Sequence, residues 1–149
     1  MNDNVDSAKS PAVVAFRTDG LAQRLPLRIL VAEDNPLNVK LITMVMAGLG
    51  YRPDIAADGL EVIAALRRQP YDVVLMDVRM PRMDGIEAAR RICREWPRGR
   101  RPRLIALTAG VTPEERQACL DAGMEECLSK PVARARLAQL LQRFGPAGA

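Results

Sequence analysis

From Leu27 onward, short apolar runs alternate with longer stretches in which apolar residues recur at helical spacing. Residues 27–32 form a run too short for a helix, closed by Glu33 and Asp34, and read as a buried strand. Asn35 offers an N-cap and Pro36 a first helical position, and Leu37, Leu41, Ile42, Val45, Met46 and Leu49 fall on one helical face before Gly48 and Gly50 stop the pattern. The same unit recurs four more times. Residues 54–57 are a weak strand, and Asp58 with Glu61 makes a capping box for a helix to about residue 69. Residues 72–76 are a continuous apolar strand, and Asp84 with Glu87 leads a helix that turns Ile86, Ala89, Ile92, Cys93 and Trp96 inward. Residues 104–107 form a fourth strand, followed by a helix opened by Thr112, Pro113 and Glu115 and ended at Gly123. A short fifth strand over 126–128 precedes a closing helix over 132–144, with Leu137, Leu140 and Leu141 inward.

Five strands alternating with five helices through short connections require a parallel sheet covered on both faces, because right-handed crossovers place the helices there. The predicted class is therefore a doubly wound α/β fold spanning residues 27–144. Residues 1–26 show no clear period and read as a flexible tail or linker, with a candidate short strand at 12–16; residues 145–149 read as a C-terminal tail.

Composition narrows the chemistry. The chain has 149 residues, 48% hydrophobic and 27% charged, as expected of a single soluble domain. Nothing approaches the roughly 18 consecutive apolar residues of a membrane span, and the polar first ten residues hold no secretory signal, so a cytoplasmic location without membrane insertion is expected. Three cysteines without CxxC spacing suggest neither a disulfide framework nor a zinc site. The absence of histidine removes Ser-His-Asp and Cys-His pairs, HExxH metal sites and any phosphohistidine of the chain's own. The net charge of +4 is local: residues 90–103 alone carry +6, leaving −2 elsewhere. With only five aromatic residues for stacking, a solvated arginine-rich loop is favoured over a nucleic-acid surface, and no direct nucleic-acid binding is expected.

In doubly wound sheets, ligands bind beyond the carboxyl ends of the strands. There the sequence places Glu33 and Asp34 after the first strand, Asp77 after the third, Thr108 after the fourth, and Lys130 with Pro131 after the fifth. Singly, each has an ordinary explanation as a cap, a strand end or a solvated side chain. Together, three facing carboxylates repel unless a cation is present, and an oxygen-only ligand set suits Mg2+ best. A lysine and a hydroxyl beside a metal are what a phosphoryl group in transfer needs.

The stretches ILVAEDNPLN (29–38), VVLMDVRMPRMDG (73–85), IALTA (105–109) and DAGMEECLSKPV (121–132) resemble the receiver domain of two-component response regulators, and the EDNPxN and MDxxMPxMDG forms resemble receivers attached to hybrid sensor histidine kinases. The resemblance implies a flavodoxin-like sheet of order 2-1-3-4-5. It implies Asp77 as phosphoacceptor, taking a phosphoryl group from the phosphohistidine of a histidine kinase or a histidine phosphotransfer protein. By the same resemblance, Asp34 directly, Glu33 through water, Asp77 itself and the backbone carbonyl of Arg79 would hold Mg2+. Lys130 would pair with the phosphoryl oxygens, Thr108 would move to hydrogen-bond one of them, and Gly85 would free the loop after the acceptor strand. One position departs from the pattern: Cys127 stands where receivers usually carry a switching aromatic, so phosphorylation is expected to alter the surface of the fourth and fifth helices less.

A receiver so defined is a signalling module rather than a conventional enzyme, with weak self-phosphorylation and self-dephosphorylation. No DNA-binding output is expected after the fifth helix, and the sequence suits either a free-standing regulator or a piece of a hybrid kinase. Three alternatives stand beside it. A Mg2+-dependent aspartyl-phosphate phosphohydrolase would need an acid two residues after Asp77, where Arg79 stands. A phosphorylation-independent interaction module would not need every polar position filled. A flavin-binding domain would need a phosphate loop where Glu33 and Asp34 stand.

Overall fold

A computed structural model describes residues 20–144. The strands β1 (Ile29–Ala32), β2 (Asp54–Ala56), β3 (Val73–Asp77), β4 (Arg103–Thr108) and β5 (Glu126–Ser129) alternate with the helices α1 (Pro36–Gly48), α2 (Gly59–Arg68), α3 (Gly85–Glu95), α4 (Pro113–Asp121) and α5 (Arg134–Arg143). All strand pairs are parallel, in the order β2-β1-β3-β4-β5. The order reverses between β1 and β3, which places the carboxyl ends of those strands at the crevice where such sheets bind ligands.

The period of two along each strand divides the core. Leu30, Ala32, Val74, Met76, Leu104 and Ala106 face one side with Val62, Leu66, Ala89, Ile92 and Cys119, under α2, α3 and α4. Ile29, Val31, Val73, Leu75, Ile105 and Leu107 face the other with Ile42, Met46, Leu137, Leu140 and Leu141, under α1 and α5. β1 and β3 are buried along their whole length, as a sheet covered on both faces requires.

The helix starts follow their caps. Asn35 Oδ1 accepts from the backbone N–H groups of Leu37 and Asn38 at 2.9 and 3.2 Å, ahead of Pro36. Asp58, Asp84 and Thr112 each accept from the N–H three residues on, at 2.9, 2.9 and 3.1 Å.

Two expectations are corrected. Leu37 and Leu41, placed on one helical face with Ile42 and Met46, are 63% and 42% exposed, because the sheet covers only the stripe of α1 around Ile42 and Met46. Residues 20–26, read as part of a flexible tail, instead carry a helical turn, Leu21–Arg24, with Leu21 and Leu25 buried beside α1 and α5. The Ala22 N–H donates to the Leu49 carbonyl at 3.0 Å and the Tyr51 hydroxyl donates to the Leu25 carbonyl at 2.6 Å. Burial, partly opposed by Arg24, pushes the Tyr51 hydroxyl up to about 12, so it stays a donor. Two leucines four residues apart make one face but too few repeats to register as a period. The candidate strand at 12–16 and the tail at 145–149 lie outside the described residues. Among the described residues, no helix is long and apolar enough to cross a membrane.

Candidate functional site

Every candidate residue from a strand end arrives at the same edge of the sheet. Asp77 is the last residue of β3 and Thr108 the last of β4, while Glu33 follows β1 and Lys130 follows β5. Glu33, Asp77 and Thr108 are buried and Asp34 is exposed. Ligand oxygens of Glu33, Asp34 and Asp77 lie within 4.8 Å of one another. Lys130 Nζ bridges two of these carboxylates, donating to Glu33 Oε1 and to Asp77 Oδ2, each at 3.2 Å. Burial alone would lower the lysine, but the bonds and charges of Asp77 and Glu33 outweigh it and hold the ammonium above its ordinary value.

The remaining carboxylate oxygens are oriented by backbone. Glu33 Oε2 accepts from the Asn35 N–H at 3.1 Å, and Asp77 Oδ1 accepts from the Arg79 N–H at 3.2 Å. The Lys130 N–H donates to the Thr108 carbonyl at 2.7 Å, fixing the β5 end against the β4 end, and the Lys130–Pro131 peptide bond is cis. Thr108 Oγ1 is buried at the site without a hydrogen-bond partner among the described residues. A buried hydroxyl left unpaired is costly, and such groups in native structures call for an explanation.

Three carboxylates against one ammonium leave a formal charge of −2 in a partly buried cleft, with oxygen the only ligand type. That donor set fits a small hard divalent cation.

At Gly85, expected to free the loop from side-chain constraints, the constraint is steric. A Cβ there would overlap the Asp77 carbonyl oxygen and lie 3.1 Å from the Asp77 carbonyl carbon and the Val78 Cα, so α3 can start beneath the end of β3 only without a side chain. The Gly85 N–H donates to the Val78 carbonyl at 2.9 Å and closes that loop.

Further polar features at this edge were not legible from sequence spacing. Asp58, read only as a cap, is buried and accepts from Arg82 Nε at 2.6 Å, with Arg82 Nη2 also bonded to the same carboxylate oxygen. Arg82 holds a left-handed backbone, φ 64°, in the loop after Asp77. Cys127 lies on β5 opposite Ala106, one side-chain layer from Thr108, in the same core cluster as Cys119. Burial and the neighbouring Cys127 push the Cys119 thiol up to about 11. An apolar groove of about 190 Å3, lined by Leu41, Met44, Val45, Pro131 and Val132, opens beside Glu33 and Lys130.

The arginine-rich segment lies at the other end of the sheet, before β4. Arg101 caps the end of α3 on the carbonyls of Cys93 and Trp96, Arg91 pairs with Glu95, and Arg103 pairs with Glu125. These arginines are absorbed locally, in keeping with a solvated loop.

The sheet order is matched by known proteins. The family model of the response regulator receiver domain matches residues 29–142. The chain belongs to the receiver family. It is 45% identical to the receiver domain of the sensor histidine kinase PA1611 from Pseudomonas aeruginosa PAO1, whose crystal structure has a magnesium ion coordinated in the active-site cleft; the match covers 79% of this chain and 96% of that one with a TM-score of 0.72. The chemotaxis response regulator CheY4 of Vibrio cholerae, at 28% identity, superposes over 78% of this chain and 97% of its own with a TM-score of 0.69, in accord with the flavodoxin-like order. Among curated proteins, the chain is 40% identical over 115 residues to the sensor histidine kinase RcsC of Salmonella typhi and 37% identical over 134 residues to histidine protein kinase 1 of Candida albicans. It spans only 12% and 5% of the lengths of those relatives, while 77% and 84% of this chain is matched.

Proposed function

We propose that this receiver takes a phosphoryl group onto Asp77 from the phosphohistidine of a histidine kinase or a histidine phosphotransfer protein, as one step of a two-component phosphorelay. The observation that carries the reading is the Asp77 carboxylate at the end of the central strand, held at 3.2 Å by Lys130 Nζ beside Glu33 and Asp34. A carboxylate oxygen of Asp77 attacks phosphorus as the P–N bond to the donor imidazole breaks; the bonding pair stays on the departing nitrogen, and the imidazole leaves as the neutral ring because its other nitrogen already carries a proton. Lys130, already bonded to Asp77, neutralises charge on the transferred group. The unpaired Thr108 hydroxyl supplies a donor to one phosphoryl oxygen, which accounts for its burial without a partner.

Mg2+ is the cation the site suits: Asp34, Asp77, Glu33 and the backbone carbonyl of Arg79 would hold it, and it would supply charge neutralisation for the phosphoryl oxygens. Arg79 stands where a phosphohydrolase of the aspartyl-phosphate type would place its general acid, so the phosphoryl group is kept for relay or lost slowly to water. The apolar groove beside Lys130, with Leu41 and Met44 on its wall, supports docking of the histidine-bearing partner next to the acceptor.

The similarity to receivers named as parts of sensor and hybrid kinases supports a place in a larger signalling chain inside the cell. The domain boundaries we propose are residues 27–144 for the receiver, preceded by the docked turn at 20–26. Intact mass after incubation with acetyl phosphate and Mg2+ tests the function. One base-labile phosphoryl group on the wild type, absent in Asp77→Asn and without Mg2+, is expected. A folded protein that gains none in Mg2+ contradicts it.

A further inference from the structure

Arg79 stands two residues past Asp77, and its backbone N–H is already bonded to Asp77 Oδ1 at 3.2 Å. Its side chain is 85% exposed, and its Nη2 meets Glu115 Oε2 at 3.0 Å. Glu115 lies in the first turn of α4, where its own N–H is held by the capping hydroxyl of Thr112 at 3.1 Å. One solvent-exposed guanidinium thus ties the loop after the acceptor to the start of α4.

Resting on the reading of Asp77 as phosphoacceptor, we propose that Arg79 reads the phosphoryl state. Its guanidinium leaves Glu115 for the phosphoryl oxygens when Asp77 carries the group, and the first turn of α4 is released. The guanidinium end of the pair lies in water while the Glu115 carboxylate is largely buried, so solvent screens the arginine and it is free to leave. A phosphoryl group brings a charge of about −1.5 to −2 and three acceptor oxygens that suit the guanidinium fork. The buried side of Asp77 is already occupied by Lys130, with the Thr108 hydroxyl at the neighbouring strand end, so the solvent side is where a further cation has access. The start of α4 has room to respond, because a Cβ built on Gly110 would meet nothing within 4 Å and Val111 is exposed. This route does not pass through position 127, where Cys127 offers no large side chain to rotate.

The test uses the full 15N-labelled chain with beryllofluoride and Mg2+ as the phosphoryl mimic, read by amide and arginine Nε–Hε resonances. In the wild type, the Arg79 Nε–Hε signal and the amides of Thr112, Glu114 and Arg116 shift. In Arg79→Ala those three amides lose more than half of their response while Thr108 and Lys130 keep theirs, and Arg79→Lys restores part of it. In Glu115→Gln, which removes the resting partner, the same amides lie near their liganded positions before the mimic is added. Equal responses of the first turn in Arg79→Ala and wild type, or an unmoved Arg79 signal, overturn the proposal alone. No response at Thr108 and Lys130 in the wild type overturns the phosphoacceptor reading and this proposal with it.

Discussion

Gly85→Ala sets the geometry of Asp77 against the stability of the fold. The added methyl overlaps the Asp77 carbonyl oxygen and sits 3.1 Å from two further backbone atoms, inside the 3.4 Å at which ordinary contact begins. Backbone cannot rotate out of the way as a side chain can, and the Gly85 N–H bond to Val78 at 2.9 Å holds the two segments together. The end of β3 must therefore shift by roughly half an ångström or more. Overpacking of this kind costs about 1–3 kcal/mol, and the helical preference of alanine over glycine offsets up to about 1 kcal/mol. The middle of the overpacking range, about 2 kcal/mol, less that offset leaves a net loss of about 1–2 kcal/mol, a fall in Tm of about 4–8 °C for a domain of this size. Phosphorylation suffers more, because misplacing a reacting group by about 1 Å costs on the order of 100-fold. A 10- to 100-fold slower initial rate with acetyl phosphate and Mg2+ is expected by intact mass, on the same scale. Gly99→Ala is the control, since its Cβ would meet nothing within 4 Å, and it leaves both quantities unchanged. A Gly85→Ala protein that phosphorylates within twofold of wild type would refute the reasoning.

Other substitutions separate the remaining contributions. Thr108→Val replaces an unpaired buried hydroxyl by a methyl group of the same shape and should raise stability by about 1 kcal/mol in urea titrations, and a loss instead would mean the hydroxyl is satisfied. Asp58→Asn keeps the cap on α2 but loses the ionic partner of Arg82, which is 60% exposed and returns to water, so it should cost less than about 1 kcal/mol. Asp58→Ala removes the cap as well and should cost about 1 kcal/mol more, and equal losses from the two variants would contradict the cap assignment. Glu126 gives a pH test: burial would raise its carboxyl, but the Cys127 N–H and Arg143, Arg136 and Arg116 outweigh it and hold the group below its ordinary range. A depressed carboxyl stabilises above its unfolded pKa, and the contribution is lost as pH falls through the folded value. The stability gap between wild type and Glu126→Gln should be up to about 1 kcal/mol at neutral pH, shrink in high salt, and close in acid; a gap that grows in acid would reverse the sign assigned.

What the sequence displays depends on how local the physics is. The cap at Asn35 with Pro36, and the pairs Asp58 and Glu61, Asp84 and Glu87, and Thr112 and Glu115, act over three or four residues, and each marks a helix start the structure has. The strands announce themselves because burial on both faces demands unbroken apolar runs such as VVLM. Glu33, Asp34, Asp77, Thr108 and Lys130 are gathered by topology alone, since a parallel sheet carries all strand ends to one edge. The ties of Arg82 to Asp58, Arg79 to Glu115 and Arg143 to Glu126 span 24, 36 and 17 residues, and no pattern in the chain marks which of many arginines finds which acid. Leu37 and Leu41 show the converse: six apolar positions fit one helical face, but the width of the sheet decides how many are covered. Gly85 is visible in the sequence as a glycine, while its reason, the backbone of Asp77 against it, is a tertiary contact.

The most direct measurement locates the phosphoryl group. After reaction with acetyl phosphate and Mg2+, borohydride reduces an acyl phosphate to an alcohol and converts the modified aspartate to homoserine, which peptide mass mapping assigns to a position. The account predicts homoserine at position 77 alone, dependent on Mg2+ and lost in Lys130→Ala. Homoserine at Asp34 or another acid, or a phosphoryl group stable to borohydride, would contradict it.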